Sequence, residues 1–203
     1  MHKRLVVTVL ASSLLAACAK EAPVVQSAKD SDYKKKLLEQ LIDAKPGQVI
    51  EIPAGKFQFD RSLSLRISGV TLRGAGMDKT ILSFKGQKSG AEGLLVNASD
   101  FTLENLAIED AKGDGLKVIE GGHITIRGVR VEWTNGPDVG NGAYGIYPVK
   151  THDTLIENCV VKGASDAGIY VGQSKNIVMR GNRVEYNVAG IEVENSIDAD
   201  VYG

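Results

Sequence analysis

The 203-residue sequence predicts an all-β solenoid of the parallel β-helix type, and two observations carry that expectation. The first is a repeat. The phrase Gly-[Leu/Ile]-x-[Val/Pro] recurs at Gly93, Gly115, Gly145, Gly168 and Gly190, spaced 22, 30, 23 and 22 residues apart. A second column, Asn105, Gly128, Asn158, Gly181 and Gly203, is spaced 23, 30, 23 and 22. Two unrelated columns that share one period, and one exception to it, mark a repeat architecture in which each unit is one coil. The second observation is alternation. "QVIEIP", "KFQF", "SLSLRI" and "VTLRG" place apolar residues at every other position, and no helical period follows Pro46. A lone coil cannot bury its apolar side, so coils must stack, their strands about 4.8 Å apart.

Taken from the N-terminus, Lys3 and Arg4 give a basic start and Leu5 to Leu15 an apolar run too short to span a bilayer comfortably. Leu15-Ala16-Ala17-Cys18 follows. Residues 1–17 read as a bacterial secretory signal. Its end is similar to a lipobox, in which Cys18 is acylated and becomes the mature N-terminus; the alternative is an ordinary signal peptide with a cysteine at its cleavage site. Residues 18–30 are small, polar and aperiodic, a flexible tether. Residues 31–46 are expected to form a capping helix: Ser31 or Asp32 caps it, Tyr33, Leu37, Leu38, Leu41 and Ile42 share one face, Ala44 ends it, and Pro46-Gly47 stops it. Residues 47–203 are the β-helix. A net charge of −1 gives no basis for a nucleic-acid partner, and leaves membrane contact to the lipid anchor alone. With Cys18 acylated, Cys159 has no partner for a disulfide.

The register follows from the columns. Leu103, Ile126, Ile156 and Met179 should stack inward in one sheet, and Leu106, Val129, Cys159 and Asn182 in the next, making Cys159 a core filler. Asn182 should use its amide in a ladder or on the adjacent turn. Glu104, Arg127, Glu157 and Arg180 face outward with alternating sign, so each meets its opposite on the next coil. The helix covers the N-terminal end of the solenoid. Nothing comparable closes the other end: the sequence stops at Val201-Tyr202-Gly203 part way through a coil, and the chain is expected to be the N-terminal part of a longer domain.

"GAYGIYPVKTHDTLIENCVVKGASDAGIYVGQSKNIVMRGNRVEYNVAGIEVENSIDADVYG" resembles bacterial envelope lipoproteins of the right-handed parallel β-helix repeat class, and "GQVIEIPAGKFQFDRSLSLRISGVTLRGAGMDKTIL" resembles the first coils of pectin-lyase-like proteins. The resemblance covers residues 33 to 203 and implies a right-handed solenoid in the cell envelope, on the periplasmic or outer-membrane face. Broader relatives include polysaccharide lyases, hydrolases, mannuronan epimerases and non-enzymatic accessory proteins, so activity must be argued from the site. The Asp-Pro-His-Asp motif of mannuronan epimerases is absent; "KTHDT" shares only its His-Asp.

The shared 30-residue spacing marks one interrupted coil, whose surplus lies in "WTNGPDVGNGAY", Trp133 to Tyr144. Long loops on regular scaffolds are where function gathers. Beside it runs the outward column Lys117, Tyr147, Tyr170, Glu192, with Glu194 following. Aromatic rings that stack on a sugar and polar groups that grip hydroxyls suit a polysaccharide, with Trp133, Tyr144, Asp166, Glu192 and Glu194 as binding residues; the plain alternative is a tyrosine pair that only stabilises the sheet. A uronate lyase or epimerase needs a cation for the sugar carboxylate and a base for the C5 proton, which Lys150, His152, Tyr147 and Tyr170 would supply. Paired carboxylates for hydrolysis would come from Glu192, Glu194 and Asp166. No cofactor is implied. His2, His123 and His152 have no zinc spacing, and calcium could be held only by Asp138, Asp166 or Glu194. The expectation is a lipid-anchored envelope protein that binds or modifies a polysaccharide, or else a scaffold that binds another envelope protein. Cys18→Ser should abolish acylation and leave the precursor uncleaved; unchanged palmitate labelling of that variant would dismiss the anchor.

Overall fold

The computed structural model describes residues 28–203; the signal segment, Cys18 and most of the tether lie outside the described residues. A helix, α1, spans Ala28–Ile42. Three parallel sheets of seven, six and six strands follow, and the chain visits them in rotation. Sheet A runs from the strand Val49–Ile52 to Ile197–Tyr202, sheet B from Gly55–Gln58 to Arg183–Glu185, and sheet C from Arg61–Leu65 to Ala189–Glu194. Each turn of the chain through A, B and C is one coil, and each strand pairs with its counterparts in the neighbouring coils.

The inward stacks have the expected register. In sheet A, Ile50, Leu72, Leu103, Ile126, Ile156, Met179 and Val201 are consecutive Cα partners. In sheet C, Leu63, Leu94, Leu116, Ile146, Ile169 and Ile191 do the same. Phe57, Leu82, Ile108, Val131, Val161 and Val184 line the inside of sheet B. Apart from Val201, which is half exposed in the last strand, these three stacks meet in one continuous apolar core. Leu106, Val129 and Cys159 are buried, but they occupy the corner between sheets A and B rather than a strand of the second sheet. Burial pushes the Cys159 thiol up to about 12, in keeping with a filler and not a nucleophile.

Glycine and asparagine sit where the backbone demands them. At the A–B corner Asn105, Gly128, Asn158 and Gly181 all adopt the left-handed conformation, with φ of 59°, 57°, 53° and 60°. Only glycine and, to a lesser degree, asparagine enter that region readily. The two alternate because each asparagine leans over the next coil: a Cβ on Gly128 would lie 3.0 Å from Asn105 Oδ1, and one on Gly181 2.7 Å from Asn158 Oδ1. The Gly93 column has a different cause. A Cβ on Gly93, Gly115 or Gly145 would lie 2.6–2.8 Å from the carbonyl oxygen of the next glycine in the column. Asn182 satisfies the corner as expected, its Oδ1 accepting from the Cys159 N–H at 2.9 Å and its Nδ2 donating to the Ile156 carbonyl at 2.8 Å.

The outward charges form the alternating ladder, and it is longer than the four residues that announced it. Glu51 and Arg73 precede Glu104, Arg127, Glu157 and Arg180 in register. Arg73 bonds both Glu51 and Glu104, Arg127 lies 3.8 and 3.7 Å from Glu104 and Glu157, and Arg180 reaches Glu157 at 2.7 Å. Each pair is partly exposed and contributes only about 0.2–1 kcal/mol.

Helix α1 differs from expectation at both ends. It begins before Ser31 and Asp32, so neither caps it, and it ends at Ile42 rather than Ala44. Leu37 and Leu41 are buried and Tyr33 stacks at 4.6 Å on Phe57 of the first coil, closing the N-terminal end. Ile42, assigned to the same face, is 74 % exposed because the helix terminates there and its side chain points past the coil.

Ile169 is fully buried and Tyr170 faces out one residue later. Ile169→Asp should therefore cost several kcal/mol by burying an unpaired carboxylate, and Tyr170→Ala much less. Thermal unfolding of the two variants checks this; equal losses would mean that the register is wrong.

Candidate functional site

The outward face of sheet C carries a tyrosine cluster. Lys117 pairs with Tyr147 and Tyr170 with Glu192, while Ile146 opposite Ile169 brings Tyr147 beside Tyr170. Tyr144 ends the long loop and joins them. Ring centroids lie 4.8 Å apart for Tyr144–Tyr147, 4.6 Å for Tyr144–Tyr170 and 5.1 Å for Tyr147–Tyr170, the last pair edge to face. Lys117 Nζ lies 4.6 Å from the centre of the Tyr147 ring and 3.4 Å from Asp114 Oδ2. Asp114 Oδ1 also accepts from the Tyr144 backbone N–H at 3.3 Å. Tyr170 donates its hydroxyl to Glu194 Oε2 at 2.7 Å, leaning across Gly172, where a Cβ would come within 2.9 Å of its ring.

Carboxylates surround the rings and shift their titration. The hydrogen bond to Glu194 holds the Tyr170 phenol well above its ordinary value, with burial adding to it. Burial raises Tyr144, reinforced by Asp166, Tyr147 and Glu192. Burial also lifts the Asp114 carboxyl, with Lys117 only partly opposing.

Of the residues singled out from sequence, Tyr144, Tyr147, Asp166, Tyr170, Glu192 and Glu194 come together. Lys150 and His152 do not join them. Lys150 is exposed in the turn that leaves sheet C, and His152 opens a strand of sheet A. There its Nδ1 lies 2.7 Å from Asp153 Oδ2 and its ring 5.9 Å from His123. The four residues that would have served a uronate lyase or epimerase are thus divided between two sheets and the turn joining them. Trp133 is also misplaced as a sugar-stacking ring. It is 6 % exposed, and its Nε1 donates to the Ala111 carbonyl at 2.7 Å, so it pins the root of the loop. The loop is tied instead to itself and to the turn of the next coil, Asn141 donating to the Gly136 and Gly163 carbonyls. A cavity of about 380 Å³ lies beneath it, lined by Pro137, Val139, Tyr186 and Val188 and containing none of the three clustered tyrosines.

Sequence reasoning missed Asp114 and Gly172. Asp114 was findable: it stands before Gly115 as Tyr144 stands before Gly145, so the repeat places both at one edge of the face. Among the described residues no three histidine, cysteine, aspartate or glutamate side chains are placed to hold a metal ion. Asp138 accepts from the Gly140 N–H at 2.7 Å.

The sequence profile of the right handed beta helix region matches residues 68–201. The chain belongs to that family. No curated protein sequence matches this β-helix chain. Solved structures do resemble it. An alginate lyase from Paenibacillus sp. str. FPU-7 superposes with a TM-score of 0.58 at 21% identity, over 80% of this chain and 63% of the lyase. The A-module of a mannuronan C-5 epimerase from Azotobacter vinelandii gives 0.59 at 18%, over 82% and 51%. A pectin methylesterase in complex with a hexasaccharide gives 0.51 at 14%, over 86% and 65%. At these identities the likeness is one of fold. The β-helix chain spans between half and two thirds of the length of these neighbours.

The Tyr170–Glu194 bond can be read by titration. Because the folded value of Tyr170 is raised, the bond persists through neutral and mildly alkaline pH and is lost as pH climbs through the raised value. Glu194→Gln removes the largest cause and should bring one tyrosine down toward about 10, seen in the alkaline ultraviolet titration. An unchanged titration would show that the bond does not form in solution.

Proposed function

We propose that the β-helix chain binds a polysaccharide on the outward face of sheet C, and that one observation carries this: three tyrosine rings held within contact of one another on a rigid sheet, ringed by carboxylates and one lysine. Rings presented in this way stack on the apolar faces of sugars, and the surrounding Asp114, Asp166, Glu192 and Glu194 accept hydrogen bonds from hydroxyls. The fold neighbours include an alginate lyase and a mannuronan C-5 epimerase, which is consistent with a glycan partner. An extracytoplasmic, lipid-anchored location belongs to the same proposal and rests on the Leu15-Ala16-Ala17-Cys18 motif.

Binding is favoured over lyase or epimerase chemistry. A base that takes a sugar proton near neutral pH needs a pKa near that pH, and the Tyr170 phenol is shifted the opposite way. The cation such a reaction requires beside the sugar carboxylate is engaged, Lys117 with Asp114 and Tyr147. His152 lies on another sheet.

Changing Tyr147 and Tyr170 to alanine should weaken glycan binding by about 1–3 kcal/mol for each ring, roughly five- to 150-fold, while the fold survives. Affinity electrophoresis or calorimetry against a glycan panel, beside circular dichroism, checks both halves. Unaltered glycan binding in the double variant would reduce the tyrosines to sheet packing.

A further inference from the structure

The charges around the rings are lopsided in a way that bears on which glycan fits. The outward column of sheet C reads Lys117, Tyr147, Tyr170, Glu192 on successive coils. At one end a lysine ammonium lies over the Tyr147 ring and against Asp114. At the other end Tyr170 has the same outward ring, with Glu192 beside it in the ladder and Glu194 on its hydroxyl, and among the described residues neither carboxylate is in an ion pair. Among the described residues the cluster's ion pair is Lys117–Asp114, and Asp166 and Glu192 have no cationic partner. Four carboxylates thus face one ammonium, which is already engaged.

Resting on the polysaccharide-binding reading above, we infer that this face selects an amino-sugar polymer with free amines and disfavours a polyuronate. A protonated hexosamine amine placed over Tyr170 and against Glu192 and Asp166 reproduces what Lys117 does over Tyr147 and against Asp114. Cation–π attraction and charge-assisted hydrogen bonds act together there. A uronate carboxylate in the same place meets Glu192 and Asp166 with no cation to offset the repulsion, and such a like-charge encounter is an effective means of rejection. The charge pattern thus runs opposite to what an alginate- or pectin-directed groove requires, although solved structures acting on those polymers share the fold.

The test compares three oligosaccharides of equal length on the purified protein: glucosamine oligomers, N-acetylglucosamine oligomers and oligomannuronate. At about pH 6 a sugar amine is charged and ordinary carboxylates are ionised. Calorimetry at low salt should rank glucosamine first and uronate last, with about tenfold or more between the extremes, and the gap should narrow at high salt. Glu192→Gln should weaken glucosamine binding about tenfold more than it weakens the N-acetylated oligomer, and its melting temperature should stay within a degree or two because the side chain makes no ion pair. The inference is overturned if the uronate binds as tightly as glucosamine, or if Glu192→Gln leaves glucosamine binding intact. If those results come with binding that still depends on Tyr147 and Tyr170, the glycan-binding reading stands and only the amino-sugar preference falls. Absence of binding to all three, or binding indifferent to both tyrosines, removes the two together.

Discussion

The hydrogen-bond ladder between successive coils sets the conditions for every other feature of this molecule. Buried backbone groups must be paired, and here they pair with the coil above and the coil below, in three sheets at once. A residue added to one strand would shift all later side chains to the wrong face. Coil length is therefore held nearly constant, and any surplus is expelled at a corner. The segment from Trp133 to Tyr144 is one such surplus; an earlier coil, whose partners Leu72 and Leu103 are 31 residues apart, carries another that the glycine columns did not reach. The later surplus leaves at the junction of sheets B and C, and Tyr144 brings the chain back into register directly beside the tyrosines of sheet C. The irregular loop and the regular face are two results of one constraint.

A scaffold of this kind holds the side chains of one face in a pre-organised array. Tyr147 and Tyr170 hold their spacing because their backbones are locked in adjacent strands, not because a ligand gathers them. Tyr170 is fixed further by Glu194 and by the gap at Gly172 that lets its ring lie down. A ligand that meets rings already in place loses less freedom on binding than one that must order a loop.

What the sequence made legible is the register, because periodic columns report directly on which residues face each other. The inward stacks, the charge ladder, the burial of Cys159 and the convergence of Tyr144, Tyr147, Asp166, Tyr170, Glu192 and Glu194 all follow from lining up repeated glycines. The misjudgements arose where position along the chain was taken for position in space. His152 is five residues from Tyr147, yet a corner lies between them and turns it onto another sheet. Trp133 looked like a binding ring because it opens the loop. Alternation along the strand before it, with Val131 buried and Glu132 half-exposed, already indicated an inward indole. Ile42 matched the helical period, but periodicity does not show where the last turn meets its partner.

The alternating charges and the alternating corner residues share a longer rhythm than the coil itself. From Glu51 to Arg180 glutamate answers arginine on every other coil of sheet A, and from Asn105 to Gly181 asparagine answers glycine at the A–B corner, while the last coil sets Tyr202 opposite Arg180 and Gly203 after Gly181. Copying a single coil would set two arginines or two glutamates against each other and place two asparagine side chains where one leans over a glycine. Copying two coils together would preserve both patterns. Within that stretch the structural repeat of this solenoid is accordingly a coil pair, and coils inserted or removed two at a time would keep both patterns where a single coil would break them.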